Sequence, residues 1–260
     1  MADKPGDPVQ AIQIRISYDP FTMKLYSELD THLASLRNVL SPLNNKTYTQ
    51  TGSQSVTGGF LGLSLPEGGG AEENVRRQEI LKTFVSMVRS FINFMDALVG
   101  IKTVVGEQTK LPKSIKTIKQ LQEYMDISLK ENIHKVAINK SLTNTKKLDM
   151  LPRLSSDYDL ALRGYFDIRN AIEHHKSVAS RDMAFSRQHQ ELFTDKGVQL
   201  TNLPMILEGP STISVKFDWI TNVFKKGSEI TLSESDLEDF IMTLRLRIIP
   251  ELITKLIKSG

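Results

Sequence analysis

Three side chains in one short segment have the chemistry needed to cleave a phosphodiester. Arg169, Asn170 and His174 offer a permanent cation, an amide and an imidazole that titrates near neutral pH. RNA supplies its own nucleophile, the 2′-hydroxyl, so a base, an acid and a cation suffice to cut it without a metal ion. We therefore take these three residues as candidate catalytic groups.

The asparagine makes the pattern specific. With the composition of this chain, Arg-x-x-x-x-His is expected about 0.2 times by chance, and Arg-Asn-x-x-x-His about 0.01 times. A helical setting is also predicted, from about residue 156 to about residue 180, with Ser155 or Ser156 as its cap. Its apolar stripe consists of Tyr158, Leu162, Tyr165, Ile168 and Ile172.

A single helix does not gather the three groups. Asn170 and His174 are four residues apart and share a face, whereas Arg169 and His174 lie about 140° apart around the helix. Two interpretations stay open. Arg169 and Glu173, at i and i+4, form an ordinary salt bridge on a polar surface. Alternatively, two such helices meet across a two-fold axis and combine their side chains in one groove.

The second interpretation assigns a role to each residue. His174 acts as general base on the 2′-hydroxyl or as general acid on the leaving 5′-oxygen, and two copies divide these tasks. Arg169 holds the scissile phosphate and stabilises its extra negative charge. Asn170 orients the imidazole or a phosphate oxygen. The products are a 2′,3′-cyclic phosphate and a 5′-hydroxyl.

Residues just beyond the motif are candidate substrate-binding groups. Lys176 and Arg181 would attract phosphate, and His175 is either a packing residue or a second RNA contact. No metal and no cofactor is expected, because the chain has no ligand spacing such as His-Glu-x-x-His. The remaining isolated histidines are expected to be structural or solvated; they are His32, His134 and His189.

The Arg-Asn-x-x-x-His pattern resembles the signature of the HEPN family (higher eukaryotes and prokaryotes nucleotide-binding). The resemblance covers residues 160–179 and, more loosely, the helical region from residue 72 onward. It implies a helical bundle that dimerises to build a composite site. It also implies a metal-independent endoribonuclease of toxin or antiphage systems, with a possible antitoxin or defence-system partner.

One position departs from that family. Lys176 stands where HEPN toxins paired with a minimal nucleotidyltransferase carry a tyrosine that is adenylylated, so this mode of control is not expected. A function of a different class also stays open. In it, the chain is a catalytically inactive HEPN-type bundle that serves as an RNA-binding or assembly module.

Composition is consistent with a cytoplasmic protein. The 260 residues are 40% hydrophobic and 24% charged, with net charge +3 and no cysteine, so disulfides and thiolate metal sites are excluded. The N-terminus has no apolar segment typical of a signal peptide. The most apolar stretch, residues 84–105, contains Arg89, Asp96 and Lys102, so no membrane partner is expected.

The hydrophobic pattern predicts a mainly α fold: a HEPN-like helical bundle with a small β element and an N-terminal strand–helix extension. We expect residues 1–71 to form the extension and residues 72–260 the helical domain. Predicted helices cover 19–42, 72–99, 113–147 and 156–180, with a last helix from Ser233 that Pro250 kinks or breaks. Predicted strands cover 12–16, 198–200, 213–219 and 229–232.

Two segments have alternative interpretations. Residues 41–71 are rich in Gly, Ser and Thr and are predicted to be a mobile surface loop or linker. A phosphate-binding P-loop is excluded there, because no Gly-Lys-Ser/Thr follows the glycines. The lysine-rich face of residues 113–147 is either simply solvated or in contact with an RNA backbone.

Overall fold

The computed structural model describes residues 17–44, 71–107, 115, 117–194 and 213–259. Helices dominate, and one antiparallel strand pair is the small β element, which confirms the predicted fold class. In chain order the elements are α1 (Asp19–Asn44), α2 (Ala71–Glu107), α3 (Ile118–Ile138), α4 (Asn144–Met150), α5 (Ser156–His174), β1 (Met183–Thr194), β2 (Ile213–Phe224), α6 (Glu234–Thr243), a π-helical turn (Leu244–Ile248) and α7 (Ile249–Ser259).

Helix α2 is the central element of the fold. It packs against α1, α3, α4, α5 and α6, and it shares one apolar core with α1. Within the described part of the chain, residues Glu72–Gly106 are long and apolar enough to cross a membrane, but 78% of their most apolar window is buried inside the fold. A core helix has the same composition. The predicted boundary near residue 71 stays a prediction.

Four aromatic rings from four elements meet at the centre of the core. Phe84 of α2, Tyr165 of α5, Phe185 of β1 and Phe240 of α6 are all buried, with ring centroids 4.8 to 6.5 Å apart. Most of these pairs are edge-to-face, the arrangement that ring quadrupoles favour. Burial raises the pKa of the Tyr165 phenol, which stays protonated and acts as a hydrogen-bond donor. This cluster fixes the rotation of α5 about its axis.

Side chains from two helices cover the outer edge of β1. The Tyr165 hydroxyl donates to the Ser186 carbonyl over 2.6 Å, and the Gln188 amide donates to Thr243 Oγ1 over 2.8 Å. On its other edge β1 pairs with β2 along its whole length, from Met183↔Phe224 to Thr194↔Ile213. The first half of β1 therefore has partners on both edges, although the sheet has only two strands.

Helix α5 lies so close to β1 that one position excludes even a methyl group. A Cβ on Gly164 would stand 2.2 Å from the Ala184 carbonyl oxygen, a backbone atom that cannot rotate away. We expect Gly164→Ala to lower the free energy of unfolding by about 1–3 kcal/mol through overpacking. The matched control is Gly106→Ala, because a Cβ there meets nothing within 4 Å. Urea denaturation of both variants measures the difference, and equal stabilities would contradict the close contact.

A buried ion pair joins α4 to α2. Lys147 Nζ lies 2.6 Å from Asp96 Oδ1, and each side chain is only 6% exposed. Burial raises the pKa of Asp96, against the opposing effect of the Lys147 ammonium. Each charge therefore depends on its partner, since neither has much access to water.

Three predicted helices have different bounds in the structure. Helix α2 was predicted to end at residue 99 and extends to Glu107. The region predicted as one helix over 113–147 is two helices, because Asn139 and Thr143 form local hydrogen bonds between them. Asn139 Oδ1 accepts from the Ser141 amide over 3.0 Å, and Thr143 Oγ1 accepts from the Lys146 amide over 3.3 Å. Helix α5 ends at His174, so the predicted end near residue 180 is wrong, and Lys176 and Arg181 lie beyond the helix.

Two prolines lie inside helical segments of the structure. Pro42 lies inside α1, which ends two residues later at Asn44. At the other end of the chain, a π-helical turn over Leu244–Ile248 precedes Pro250, and the helix then continues as α7. A wider turn accommodates an interruption of the α-helical hydrogen-bond ladder, so the helix changes its pitch and does not break.

The strand predictions were partly right. Residues 213–219 belong to β2, as predicted, but its partner β1 was not predicted. Residues 229–232 form only an isolated bridge, between Val178 and Glu229. The predicted strands at 12–16 and 198–200, and nearly all of the predicted loop at 41–71, lie outside the described residues.

Candidate functional site

The three candidate catalytic residues lie on the last two turns of α5. Asn170 is half-buried and His174, the last residue of the helix, is exposed. Arg169 is 19% exposed, and its Nη1 donates to Asn170 Oδ1 over 3.1 Å. The guanidinium and the amide therefore touch. Within the described part of the chain, no hydrogen bond or ion pair engages the His174 imidazole.

Arg169 and His174 occupy different sides of the helix. The Arg169 guanidinium is held on the side of α5 that faces α2, whereas His174 belongs to the exposed side. The separation of about 140° expected from helical spacing is therefore preserved. One copy of the chain presents the imidazole to solvent and keeps the arginine partly covered.

Glu173 is paired with two arginines. Its Oε2 lies 2.5 Å from Arg169 Nη2, and its Oε1 accepts a hydrogen bond from Arg89 Nη2 of α2. The predicted i,i+4 salt bridge is thus present, with a second cation from another helix. Glu173 is 12% exposed and Arg89 61% exposed, so the carboxylate is covered while the outer guanidinium reaches solvent. We call Arg89, Arg169 and Glu173 the arginine–glutamate cluster.

Sequence reasoning did not identify Arg89 as part of the site. It is separated from Glu173 by 84 positions, so no local spacing links the two. A signal was present, since Arg89 is one of few charged residues in the most apolar stretch of the chain. A charge on a core helix usually has a partner.

The candidate substrate-binding residues follow the end of α5. His175 caps the helix, its amide donating to the Ala171 carbonyl over 2.9 Å, and Lys176 is exposed. Lys176 and Ser177 have φ angles of 52° and 61°, in the left-handed region. This backbone reverses the chain and brings the Ser177 amide to the Ala171 carbonyl, 3.2 Å away. His175 and Lys176 thus remain next to His174, but on a turn.

Arg181 is engaged elsewhere. It is 66% exposed, and its Nη2 lies 2.6 Å from Asp167 Oδ1 on the outer face of α5. An exposed pair of this kind contributes little to stability and is easily exchanged for another anion. The structure therefore leaves Arg181 near the motif, with its charge offset by one carboxylate.

A second cluster of charges lies between β1 and α6 and includes no residue of the Arg-Asn-x-x-x-His motif. The buried Arg187 of β1 pairs with Asp236 and Asp239 of α6, and His189 Nδ1 lies 3.0 Å from Asp239 Oδ2. Burial raises the pKa of Asp239, while His189 and Arg187 oppose that rise. These contacts join β1 to α6, which agrees with the structural role expected for His189.

A cavity of about 250 Å³ lies between α1, α2 and α3. Its wall is mostly apolar but includes Ser90, Asn93 and Asp96, and no residue of the motif helix lines it. The Ser90 hydroxyl is hydrogen-bonded to His32 Nε2 over 3.2 Å, and Asp96 forms an ion pair with Lys147. Ser90 and Asp96 therefore already have partners within the protein.

No protein-family model, no curated protein and no solved structure matches this chain. Within residues 17–44, 71–107, 115, 117–194 and 213–259, no group of three or more His, Asp or Glu side chains is arranged to hold a metal ion. The resemblance to HEPN proteins therefore rests on the motif residues themselves.

Proposed function

We propose that this protein is a metal-independent endoribonuclease of HEPN type that cleaves RNA by attack of the 2′-hydroxyl. One observation carries the proposal. The His174 imidazole is solvent-exposed at the end of α5, and the Arg169 guanidinium contacts Asn170 one turn earlier on the same helix. A titratable group and a cation for phosphate thus lie on the last two turns of one helix, on different sides of it.

The proposed chemistry uses two copies of this end of α5. The imidazole of one copy removes the 2′-hydroxyl proton, and the oxygen attacks the adjacent phosphorus. The imidazole of the other copy protonates the leaving 5′-oxygen. Arg169 stabilises the charge that builds on the phosphate oxygens, and Asn170 orients the phosphate or the imidazole. Pairing across a two-fold axis supplies the second set of groups without any further sequence.

We propose that the outer face of α5, which is exposed at Leu160 and His174 and half-buried between them, makes that pairing. Leu160 is 67% exposed, and Arg163, Asp167, Asn170 and His174 continue along the same side at spacings of three and four residues. This face is polar apart from Leu160, as suits a groove that admits RNA. We further propose that the protein is a cytoplasmic toxin or antiphage effector that works as a homodimer or larger assembly, with an antitoxin or defence-system protein as partner.

Incubation of the purified protein with total RNA and with tRNA in EDTA tests the proposal. We expect cleavage to persist, with 2′,3′-cyclic phosphate and 5′-hydroxyl ends, because the imidazole and the 2′-hydroxyl provide the chemistry. A substrate with 2′-deoxyribose at the scissile position should resist, since it lacks the nucleophile.

Two outcomes would contradict this mechanism. Cleavage of the deoxy substrate would show that another nucleophile attacks, and activity that requires magnesium would indicate metal-assisted hydrolysis. Light scattering on the same samples reports assembly, and a strict monomer with full activity would exclude the composite site.

A second candidate function, a catalytically inactive RNA-binding or assembly module, is favoured by one observation. Glu173 neutralises Arg169 within its own helix, so the arginine is not free to hold a phosphate in this arrangement. In such a module the cluster serves only to fix α5 on α2. RNA binding without any cleavage in the experiment above would support this second function.

A further inference from the structure

We propose that Arg89 and Arg169 together bind one phosphodiester of the RNA, and that Glu173 occupies the place of that phosphate in the free protein. Arg89 thereby becomes a substrate-binding residue that the Arg-Asn-x-x-x-His motif does not contain. The inference rests on the proposed RNA-cleaving function, because it assigns the anion that this site holds during the reaction.

The arginine–glutamate cluster has the geometry of an anion-binding site that is occupied by a carboxylate of the same protein, Glu173. Two guanidinium groups from different helices, Arg169 of α5 and Arg89 of α2, meet on the two oxygens of one carboxylate. Arg89 is 61% exposed, so an anion from solvent can reach the cluster from its side. Arg169 Nε is buried and has no hydrogen-bond partner among the described residues, which leaves one donor unused.

A phosphodiester suits this position better than a carboxylate. Both carry one negative charge and accept paired hydrogen bonds from a guanidinium, so the exchange conserves charge. A phosphodiester adds bridging oxygens and a tetrahedral shape, which can serve donors from two directions. An unused buried donor is unfavourable, so an anion that satisfies Arg169 Nε gains over one that does not.

The arrangement also makes Glu173 a competitor of RNA. While Glu173 holds both arginines, a phosphate must displace it, and the apparent affinity for RNA is lowered. Glu173 directly precedes His174 in the chain, at the end of α5. The phosphate therefore binds Arg89 and Arg169 in the same step in which Glu173 releases them.

The test compares the affinities of full-length variants for a fluorescent single-stranded RNA in EDTA. The RNA carries 2′-O-methyl groups, so that it cannot be cut. We expect Glu173→Gln to tighten Kd by roughly tenfold at low salt, the effect of about one charge-assisted hydrogen bond. The dependence of affinity on salt should steepen by about one phosphate contact.

The control is Glu238→Gln, which removes a carboxylate 2.6 Å from the exposed Arg37, on elements that carry no residue of the motif. Its Kd should stay at the wild-type value. Adding Arg89→Gln to Glu173→Gln should reverse the gain, whereas adding Arg153→Gln, at another exposed arginine, should not. Equal Kd values for Glu173→Gln and Glu238→Gln would overturn the proposal.

Two further measurements test the proposal if the first variant does not fold, and separate it from the proposed cleavage activity. If Glu173→Gln does not fold, Arg89→Gln alone is compared with Arg153→Gln, and equal affinities of these two variants overturn the proposal. Cleavage of unmodified RNA is measured in parallel. Tighter binding by Glu173→Gln without cleavage by any variant would reject the endoribonuclease and retain the phosphate site. Cleavage of unmodified RNA, with a Kd that neither Glu173→Gln nor Arg89→Gln changes, would retain the endoribonuclease and reject the phosphate site.

Discussion

Replacement of His174 by alanine is expected to reduce RNA cleavage by about 10²- to 10⁴-fold, the usual contribution of a general acid or base. The imidazole is exposed and engages no described residue, so the free energy of unfolding should change by no more than about 0.5 kcal/mol. Single-turnover cleavage assays and thermal denaturation of the same preparations measure the two effects separately.

The neighbouring histidine provides the control. His175 is also exposed and only one position away, but it caps the helix and stands on a different side. We expect His175→Ala to reduce cleavage far less than His174→Ala. Equal losses for the two variants would show that the imidazoles contribute only positive charge to RNA binding, and the catalytic assignment of His174 would be wrong.

Replacement of Lys147 by methionine is expected to lower the free energy of unfolding by about 3–5 kcal/mol at neutral pH, because it leaves the Asp96 carboxylate buried without its partner. Burial already raises the pKa of Asp96, and loss of the ammonium raises it further. A carboxyl whose pKa is raised on folding destabilises the folded state when it is ionised. The loss should therefore shrink as the pH falls and Asp96 takes up a proton.

Two further variants serve as controls for that measurement. Lys24→Met removes a lysine that is 74% exposed and 3.8 Å from Glu28, and it should change stability by no more than about 0.5 kcal/mol. Asp96→Asn combined with Lys147→Met removes both charges and should recover much of the loss. A Lys147→Met protein whose deficit is the same at every pH would indicate lost packing, not an unpaired charge.

Local sequence patterns predicted the helices better than the strands. Apolar spacing identified α1, α2 and α5. The last helix starts at Ser233 as predicted, where Ser233 and Asp236 form a capping box with hydrogen bonds of 2.7 and 3.2 Å. These features depend on residues three or four positions apart. A sequence shows such interactions directly because both partners lie in the same short segment.

Strand β1 was missed because its buried face includes charged and polar residues. Met183 and Phe185 alternate as expected, but the next inward positions are Arg187 and His189. The burial of Arg187 depends on its ion pairs with Asp236 and Asp239, about 50 positions away, and no local pattern shows that compensation. The contact between Arg89 and Glu173 could not be predicted for the same reason, since it depends on how α2 and α5 pack.

The end of α5 was mispredicted because the usual stop signal is absent. Glycine or asparagine commonly adopts the left-handed conformation after a helix, and here Lys176 and Ser177 do so. The positions of the candidate catalytic residues along α5 were predictable from spacing. The spacing could not predict whether Arg169 faces α2 or a second copy of the chain. It gives the angles between side chains of one helix, but not which element packs against each side of that helix.

The turn formed by Lys176 and Ser177 has a consequence for protein engineering. A left-handed lysine is less favourable than a left-handed glycine by about 1–2 kcal/mol, so a design procedure that maximises thermal stability would select glycine at position 176. That choice would remove a positive charge two residues after His174. Thermostability and attraction of a polyanion thus select different residues at this position, and a library screened for one property would lose the other.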